Sequence, residues 1–326
     1  MSAPILRVAG AGDLPERLRG AVVAIGNFDG VHRGHQAVLR QARAMAGALD
    51  APLLCLTFEP HPRTVFNPSH PVVRLTPAPM KARLLAGLGF DAVVEQPFDR
   101  EFAALSAGDF VERILVTALG ARHVVVGFDF RFGAKRAGTP ALLAERGRER
   151  GFGVTAIEAF SDEDGEVVSS SRIRDHLAGG EVVEAAGLLG YHWTVEGTVV
   201  GGQKLGRQLG FPTANMELEA EDILAHGVYA VRFRRADGTL HDGVASYGRR
   251  PTFDNGAPLF ETYLFDFSGD LYGETAEVSL FSYLRSEQKF AGVADLIAQM
   301  ERDAAEARAV LAGAKPFSPL DMAIAF

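Results

Sequence analysis

The stretch that decides the fold runs from Ala21 to His35 and reads AVVAIGNFDGVHRGH. Its first five residues, Ala21–Ile25, form an uninterrupted apolar run, which predicts a buried strand. The residues after His35 have helical spacing, so the strand passes through a glycine-containing turn directly into a helix. Since a helix N-terminus presents unpaired N–H groups and the positive end of the helix dipole, we expect this junction to bind nucleotide phosphates.

Two histidines flank a glycine at this junction. His32 and His35 supply side-chain donors, and Gly34 lets a phosphate approach the backbone without a Cβ in the way. The histidines have two other interpretations, as surface residues of a first helical turn or as metal ligands, although no third and fourth metal ligands stand nearby in the sequence. The preceding turn completes the predicted nucleotide-binding loop with Gly26, Asn27 and Phe28.

Apolar strand-like runs alternate with helical segments through the first half of the chain. This alternation predicts parallel strands joined by helical crossovers, the doubly wound α/β class. Ligands of such sheets bind beyond the carboxyl ends of the strands, so we expect the loops Thr57–Pro62 and Gly127–Gly133 beside the histidine motif. The predicted elements are, in order, strand Ala21–Ile25, helix Gln36–Leu49, strand Pro52–Phe58, helix Lys81–Leu88, strand Ala92–Glu95, helix Asp109–Leu119 and strand His123–Val126.

A cluster of three serines, Ser169–Ser171, begins another predicted helix that runs through Leu177. Hydroxyl groups at a helix start are often only N-caps. However, Arg174 stands one turn further on, and a guanidinium beside hydroxyl and amide donors suits a phosphate whose charge grows as pyrophosphate leaves. We therefore predict that Ser170, Ser171 and Arg174 bind phosphate.

From about Tyr191 the pattern changes to short strands separated by turn residues, which predicts a small antiparallel β-barrel. We place the boundary between domains of residues 1–186 and 187–326. A final amphipathic stretch, Val293–Leu311, predicts a C-terminal helix that closes the barrel domain. The predicted barrel strands include Trp193–Val200, Gly227–Phe233, Phe260–Phe267 and Glu277–Leu284.

A glycine-rich loop precedes two polar residues of the barrel half. Lys204, between Gly202 and Gly206, offers a charge for phosphates, although glycines at this density are also typical of barrel corners. Thr213 and Asn215 carry oxygen ligands of the kind that Mg²⁺ takes beside nucleotide phosphates. Because they are two residues apart, they face the same way on a strand. The segment is a second candidate phosphate-binding site, with Thr213 and Asn215 as candidate metal ligands.

Glu261 lies near the start of the predicted strand Phe260–Phe267. Alternation places its carboxylate on the same face as Tyr263, Phe265 and Phe267. An unpaired carboxylate is costly to bury among aromatic residues, so it belongs at the barrel rim, in an ion pair or in a functional site. As a functional group, Glu261 is a candidate general base toward a hydroxyl.

Composition limits the possible functions. The chain has 326 residues, of which 47% are hydrophobic and 23% charged, and its net charge is −8. These values are typical of an ordinary globular protein and argue against a general nucleic-acid binder. The single cysteine, Cys55, excludes an internal disulfide, and no apolar segment has the length of a membrane span. We expect a cytoplasmic protein with no nucleic-acid or membrane partner, while the oligomeric state stays undetermined.

The combination of His-x-Gly-His with the later serine and arginine segment resembles the nucleotidylyltransferase superfamily, whose members transfer AMP from ATP and release pyrophosphate. The resemblance implies that His32 and His35 stabilise charge on the ATP phosphates, while Ser170, Ser171 and Arg174 bind the β- and γ-phosphates. Ser171 stands where threonine is usual and keeps the hydroxyl.

The acceptor of AMP then needs a site for a molecule with its own phosphate. Phe58, Phe128, Phe130 and Phe132 supply flat apolar surface suited to a large ring system, with His61 and Asp129 as polar candidates. For each phenylalanine, a role in the core is the alternative.

Five segments of the second half resemble the riboflavin kinase barrel. Together with the first half, they make nearly the whole chain resemble the bacterial bifunctional riboflavin kinase/FAD synthetase family. The resemblance implies that Thr213 and Asn215 bind Mg-ATP, that Glu261 activates the ribityl hydroxyl of riboflavin and that Arg285 contacts the flavin. One departure is Ser246-Tyr247, where the family usually has asparagine and an aliphatic residue. The five segments are Gly206–Asn215, Gly227–Ala230, Arg250–Phe253, Glu261–Phe267 and Leu284–Phe290.

These resemblances imply an enzyme that uses ATP and Mg²⁺ to phosphorylate riboflavin to FMN and then adenylylates FMN to FAD. Its partners are then riboflavin, FMN, FAD and ATP. Two alternatives are an adenylyltransferase for another phosphate, such as phosphopantetheine, and a catalytically silent flavin sensor. The first leaves Glu261 unexplained, and the retained histidines and Glu261 disfavour the second.

Overall fold

The computed structural model describes residues 5–201, 211–217, 223–249 and 258–326. The chain divides after Ser169 into two compact units. The first unit contains an open parallel sheet, and the second contains a closed antiparallel barrel. Both predicted architectures are confirmed.

The six strands of the first unit pair in parallel in the spatial order β1-β4-β3-β2-β5-β6. The central strand β2 is at most 1% exposed at every residue, as its uninterrupted apolar run requires. The strand order reverses between β2 and β5, which is where doubly wound sheets bind their ligands. The strands are β1 (Leu6–Val8), β2 (Val22–Ile25), β3 (Leu53–Glu59), β4 (Ala92–Pro97), β5 (His123–Gly127) and β6 (Gly153–Ile157).

Helices connect these strands, and the three predicted ones are present. The first begins at Arg33, three residues earlier than predicted, because His32 caps its N-terminus. It ends at Leu49, and its C-cap Asp50 has a φ of +45°. The α-helices are α1 (Arg33–Leu49), α2 (Pro62–Phe66), α3 (Ala78–Gly87), α4 (Arg100–Ala103), α5 (Ala107–Asp109), which continues as the π-helix Phe110–Ala118, and α6 (Pro140–Arg150). Short 3-10 helices span Ala11–Asp13, Glu16–Leu18 and Ala134–Arg136.

The second unit is built on an antiparallel barrel with the strand order β10-β11-β8-β7-β12-β9. Its strands are β7 (Thr194–Val200), β8 (Thr213–Glu217), β9 (Gly227–Arg234), β10 (Leu240–Arg249), β11 (Pro258–Leu264) and β12 (Thr275–Arg285). Helices α7 (Ser170–Ala178) and α8 (Val182–Leu189) precede the barrel, and α9 (Val293–Gly313) and α10 (Pro319–Ala325) follow it. The predicted closing helix is α9.

Alternate residues of the strands point to the interior and the exterior of the barrel. The buried interior residues include Tyr229, Tyr247, Phe260 and Leu264. On the exterior, α9 packs its buried apolar face against residues of the barrel and of the turn that follows β11, including Phe265. The barrel is thus filled with side chains and partly covered from outside.

Strand β11 ends at Leu264, three residues before its predicted end. Asp266 has a φ of +54°, and this left-handed residue interrupts the extended backbone. Phe265, the first residue after the strand, packs against α9 together with Tyr263. Phe265 stays beside Tyr263 on the exterior, with ring centroids 5.8 Å apart, although the strand has ended. The face shared by Glu261 and Phe267 stays a prediction, because alternation assigns a face only while the strand continues.

The short helix α10 has no counterpart among the predicted elements. Its buried Asp321 accepts hydrogen bonds from the backbone N–H groups of His192 at 2.8 Å and Phe317 at 2.9 Å. The Nδ1 atom of His192 lies 3.0 Å from the same carboxylate. Arg232 of β9 donates to the carbonyl oxygen of Ala325. These contacts attach the seven-residue helix to the beginning and the outer face of the barrel.

Candidate active sites

The turn between β2 and α1 passes through left-handed backbone. Phe28 (φ +45°) and Val31 (φ +39°) lie on either side of Gly30 (φ +86°). Such a conformation costs a residue with a side chain about 1–2 kcal/mol, so the surrounding structure must hold this turn in place. The turn delivers His32 to the N-cap of α1, after the carboxyl end of β2.

His32 and His35 stack on each other at this helix N-terminus. Their ring centroids are 3.6 Å apart and their planes differ by 19°. The Nδ1 atom of His32 accepts a hydrogen bond from the backbone N–H of His35 at 3.3 Å, so a neutral His32 carries its proton on Nε2. A Cβ at Gly34 would lie 3.2 Å from the His32 ring and 3.5 Å from the carbonyl oxygen of Val168. Glycine at this position therefore makes room for the stacked rings.

The environment of His35 favours its neutral form. Burial holds the pKa of His35 well below its usual value of 6.5, and the charges of His32 and Lys81 act in the same direction. Its Nδ1 atom is buried and has no hydrogen-bond partner within the described part of the chain, and the same holds for Oδ1 of Asn27. The predicted nucleotide loop thus contains two buried polar atoms that a ligand can satisfy.

The predicted acceptor-site residues take different positions in the first unit. Phe58 packs in the core, with its ring centroid 5.8 Å from that of Phe98. His61 is buried and caps α2 through Nδ1. By contrast, Phe128 is 52% exposed, and Asp129 beside it is exposed as well. Phe132 is buried in the core and Phe130 is partly buried. Of the four predicted aromatic residues, Phe128 is therefore the most exposed to a ligand.

An exposed aromatic residue that the sequence analysis missed lies on α2. Phe66 is 68% exposed, and its ring touches Phe98 edge to face. The sequence pattern does not predict the exposure of Phe66. A helix of five residues is too short to show an apolar period, which would separate an exposed phenylalanine from a buried one.

The predicted phosphate-binding serines and arginine begin α7 in the second unit. Ser170 and Ser171 are the first two residues of the helix, and Ile173 and Leu177 bury its apolar face. The Nη1 atom of Arg174 donates to the carbonyl oxygen of Ser170 at 3.2 Å. The serine hydroxyls and the guanidinium therefore come from the first turns of a helix, as predicted.

Thr213, Asn215 and Glu261 share the outer face of the barrel. Asn215 of β8 is the direct cross-strand partner of Glu261 of β11, and Thr213 is the partner of Tyr263. Directly opposed residues of antiparallel strands have Cβ atoms about 4.5–5.5 Å apart. The predicted metal ligands and the predicted general base thus come together on one surface.

The strand register extends this pairing into a row across the barrel. Ser246 of β10 flanks Glu261 on the side away from Asn215. Tyr247, the bulkier part of the departure from the family pattern, instead points into the buried interior. It therefore fills the core and leaves the outer face free. The complete row reads Val200, Asn215, Glu261, Ser246, Val228 and Arg285.

Asn215 is the most enclosed polar residue of this row. It is 4% exposed, and its Oδ1 atom has no hydrogen-bond partner among the residues that the structure describes. A buried carbonyl oxygen without a partner is unfavourable unless a ligand satisfies it. The predicted phosphate-loop residues Gly202, Lys204 and Gly206 lie outside the described residues.

Arg285, at the end of the row, is engaged by protein groups. Its Nε and Nη2 atoms contact the buried carboxylate of Asp303 at 2.9 and 2.7 Å, and Nη1 donates to the carbonyl oxygen of Ser286 at 3.0 Å. Gln299 donates to the same carboxylate. Asp303 of α9 therefore fixes the orientation of the guanidinium.

Two family models match the chain, one in each half. The model for FAD synthetase matches residues 14–172, and the model for riboflavin kinase matches residues 189–311. The architecture and the matches define a two-domain flavin-nucleotide enzyme that joins a nucleotidyltransferase-like sheet to a kinase barrel.

Curated relatives cover most of the chain. The bifunctional riboflavin kinase/FMN adenylyltransferase of Listeria monocytogenes is 43% identical over 297 residues, which are 89% of this chain and 92% of the relative. The enzyme of the same name from Escherichia coli K12 is 41% identical and covers 91% of this chain and 95% of the relative. The chain belongs to the bifunctional riboflavin kinase/FMN adenylyltransferase family. It phosphorylates riboflavin to FMN and adenylylates FMN to FAD, with ATP as the co-substrate of both reactions.

A solved structure has the same fold. A Streptococcus pneumoniae chain described as a macrolide-efflux protein superimposes with a TM-score of 0.84 at 31% identity, over 96% of this chain and 100% of that one. Within the described residues of the present chain, no helix combines the length and the apolar character needed to cross a membrane.

Proposed function

We propose that the two reactions are divided between the halves of the chain, with adenylyl transfer in residues 1–186 and riboflavin phosphorylation in residues 187–326. The two family models support this division, because each matches one half. The different architectures of the two units support it as well. The boundary between residues 186 and 187 keeps Ser170, Ser171 and Arg174 in the half that we assign to adenylyl transfer.

In adenylyl transfer, an oxygen of the FMN phosphate attacks the α-phosphorus of ATP. The bond from that phosphorus to the bridging oxygen of the β-phosphate breaks, and pyrophosphate leaves. This reaction needs positioning and charge stabilisation more than a nucleophile on the protein. We assign the ring N–H donors of His32 and His35 to the ATP phosphates. The remaining nucleotide contacts are assigned to Gly26, Asn27, Phe28, Gly34, Ser170, Ser171 and Arg174.

For the FMN acceptor, we propose a site that Phe128 and Asp129 border. The exposed ring of Phe128 supports a stacking role toward the flavin. His61 and Phe58 are assigned supporting positions, since His61 caps α2 and Phe58 lies in the core.

In riboflavin phosphorylation, we assign the role of general base to Glu261. Its carboxylate takes the proton of the ribityl hydroxyl while that oxygen attacks the γ-phosphorus of ATP, the bond to the β-phosphate oxygen breaks, and ADP leaves. The cross-strand pairing of Glu261 with Asn215 carries this assignment. The base and the nucleotide ligands must meet at one phosphoryl group, and the pairing puts them side by side. Arg285, fixed by Asp303, is proposed to contact the flavin.

The residues around Asn215 fit a Mg²⁺-bound nucleotide. Oδ1 of Asn215 is a buried oxygen without a partner among the described residues, and Thr213 lies two residues earlier on the same face of β8. Mg²⁺, when bound, neutralises charge that develops on the phosphates. Thr213 and Asn215 would hold it, and we propose that Gly202, Lys204 and Gly206 surround the phosphates.

We also propose a cytoplasmic location. Cys55 is the only cysteine, and burial raises the pKa of its thiol to about 12, so it stays protonated and unreactive. Cell fractionation tests this location, and recovery of the protein outside the cytoplasmic fraction would contradict it.

The functional assignment is tested by incubating the pure protein with riboflavin, ATP and Mg²⁺ and separating the flavins by chromatography. FMN should form first and FAD second, with one pyrophosphate released for each FAD. Substitutions in one predicted site should stop only the corresponding step, and simultaneous loss of both steps would contradict the division.

A further inference from the structure

A buried lysine lies beneath the histidine turn. Lys81 of α3 is 1% exposed, although an ammonium group is costly to bury unless it is paired. Its Nζ atom donates hydrogen bonds to Oε1 of Glu59 at 3.1 Å and to Oγ1 of Thr57 at 3.0 Å. Both acceptors belong to β3, the strand next to β2.

One connection leads from Lys81 through Thr57 to the turn. The hydroxyl of Thr57 accepts from Lys81 and donates to the carbonyl oxygen of Asn27 at 3.2 Å. Because the ammonium can only donate, it requires the hydroxyl to use its own proton on Asn27. The charge of Lys81 thus fixes the direction of this hydrogen bond.

A second connection leads through Glu59 and Arg74. The guanidinium of Arg74 donates to both carboxylate oxygens of Glu59, at 2.8 and 2.9 Å, and its Nε lies 3.5 Å from Oδ1 of Asp29. Oδ1 of Asp29 accepts from the backbone N–H of Thr76 at 3.1 Å, and Oγ1 of Thr76 accepts from the backbone N–H of Gly30 at 2.9 Å. The turn is therefore held at Asn27, Asp29 and Gly30.

The network balances two cations with two anions. Although burial opposes ionisation of Glu59, hydrogen bonds and charges from Arg74 and Lys81 lower the pKa of its carboxyl. Burial also lowers the pKa of Lys81, and Arg74 acts in the same direction, while Glu59 opposes them. Burial, the charge of His32 and the charge of Lys81 together lower the pKa of the His35 imidazole. Lys81 is too deeply buried to touch a substrate, so it acts on the histidines through the protein.

We propose that Lys81 is a positioning residue for adenylyl transfer, which holds the turn from Asn27 to Val31 so that His32 and His35 face the nucleotide phosphates. The inference rests on the proposed roles of the two histidines. Phe28 and Val31 have unfavourable left-handed backbone conformations. When the hydrogen bonds that anchor the turn are lost, these residues relax to more favourable conformations.

Lys81→Met removes the charge and keeps the length of the side chain, whereas Thr57→Val cuts the link to Asn27 and keeps the charge. Arg7→Met is the matched control. Arg7 is also a cation of this sheet that pairs with a carboxylate, that of Glu95 in β4, but its side chain is exposed. For each variant, kcat and KM for ATP are measured for conversion of FMN to FAD, and conversion of riboflavin to FMN serves as the internal standard. The titration of His35 is followed by NMR of ¹³C-labelled histidine.

We expect Lys81→Met to lower kcat of FAD formation at least tenfold with less than a threefold change in riboflavin phosphorylation, and to raise the titration midpoint of His35. Thr57→Val should lower kcat at least threefold without moving that midpoint, and Arg7→Met should change neither quantity. Wild-type kcat in folded Lys81→Met overturns the proposal. If Lys81→Met does not fold, wild-type kcat in Thr57→Val overturns it instead. Full FAD formation in His32→Gln and His35→Gln would defeat the proposed histidine roles separately.

Discussion

Asn215 and Glu261 are directly opposed residues of strands β8 and β11, and their side chains share the outer face of the barrel. One residue presents a buried carbonyl oxygen without a partner in the described part of the chain, and the other presents a carboxylate. Neighbouring strands thus bring a metal-binding type of oxygen and a base to the same surface. This juxtaposition supports our proposal that riboflavin phosphorylation takes place here.

Asn215→Ala should weaken Mg²⁺-dependent phosphorylation of riboflavin. The change removes an oxygen that we assign to the metal, so the Mg²⁺ concentration for half-maximal FMN formation should rise about tenfold or more, by analogy with the loss of other metal-site contacts. The measurement is FMN formation over a Mg²⁺ series at saturating riboflavin. Asn215→Asp keeps an oxygen at the position and should retain a lower Mg²⁺ requirement than Asn215→Ala. An unchanged Mg²⁺ dependence in both variants would show that Asn215 does not serve the metal.

The depressed pKa of His35 makes stability depend on pH. The unfolded chain binds a proton at this residue near pH 6.5, while the folded protein does so only at lower pH. Stability contributed by His35 is therefore complete above about pH 6.5 and declines as the pH falls toward the folded-state pKa, by at most about 1.4 kcal/mol per pH unit.

Denaturant unfolding of the wild type and of His35→Gln between pH 5 and pH 7.5 measures this contribution. The variant should show a smaller loss of stability toward acid pH than the wild type. His70→Gln makes the same replacement at an exposed histidine of the same unit, and its pH profile should match the wild type. Equal slopes for all three proteins would contradict a lowered pKa of His35 in the folded protein.

Asp321 is expected to contribute to the stability of the barrel unit. Its fully buried carboxylate accepts backbone N–H groups of His192 and Phe317, and an uncharged amide at this place would leave one of them facing another donor. Asp321→Asn should therefore lower the free energy of unfolding by about 1–3 kcal/mol. Chemical denaturation measures the change, and Asp270→Asn, at an exposed position of the same unit, should stay within about 0.5 kcal/mol of the wild type. A stable Asp321→Asn would mean that α10 is held by its other contacts.

Local sequence patterns were sufficient for the elements that position the two sites. The apolar run Ala21–Ile25 is short enough to predict a buried strand, and the glycines after it allow the chain to turn. The period of two around Glu261 correctly separated its face from that of Phe260 and Thr262. It did not predict that the strand ends at Leu264, because the left-handed Asp266 in the following turn does not change an alternating apolar pattern.

The remaining features depend on contacts between distant parts of the chain. Lys81 is indistinguishable in sequence from a solvent-exposed residue of a helix, and only its pairing with Glu59, 22 residues away, explains its burial. Strand β1 has three residues and α10 has seven, so neither is long enough to establish a period. The row from Asn215 to Arg285 likewise depends on the pairing of five strands, several of which are far apart in the sequence.

The central claim is that one chain performs two reactions with separate sets of residues. The most direct test compares Glu261→Gln with Arg174→Gln in two assays, riboflavin to FMN and supplied FMN to FAD. A lost general base typically costs 10²–10⁴-fold in rate, so Glu261→Gln should lose FMN formation by about that factor and keep FAD formation within about twofold. Arg174→Gln should show the reverse pattern, and Glu196→Gln, at an exposed glutamate of β7, should change neither reaction. If Glu261→Gln and Arg174→Gln each impaired both reactions equally while folded, the division of labour would be wrong.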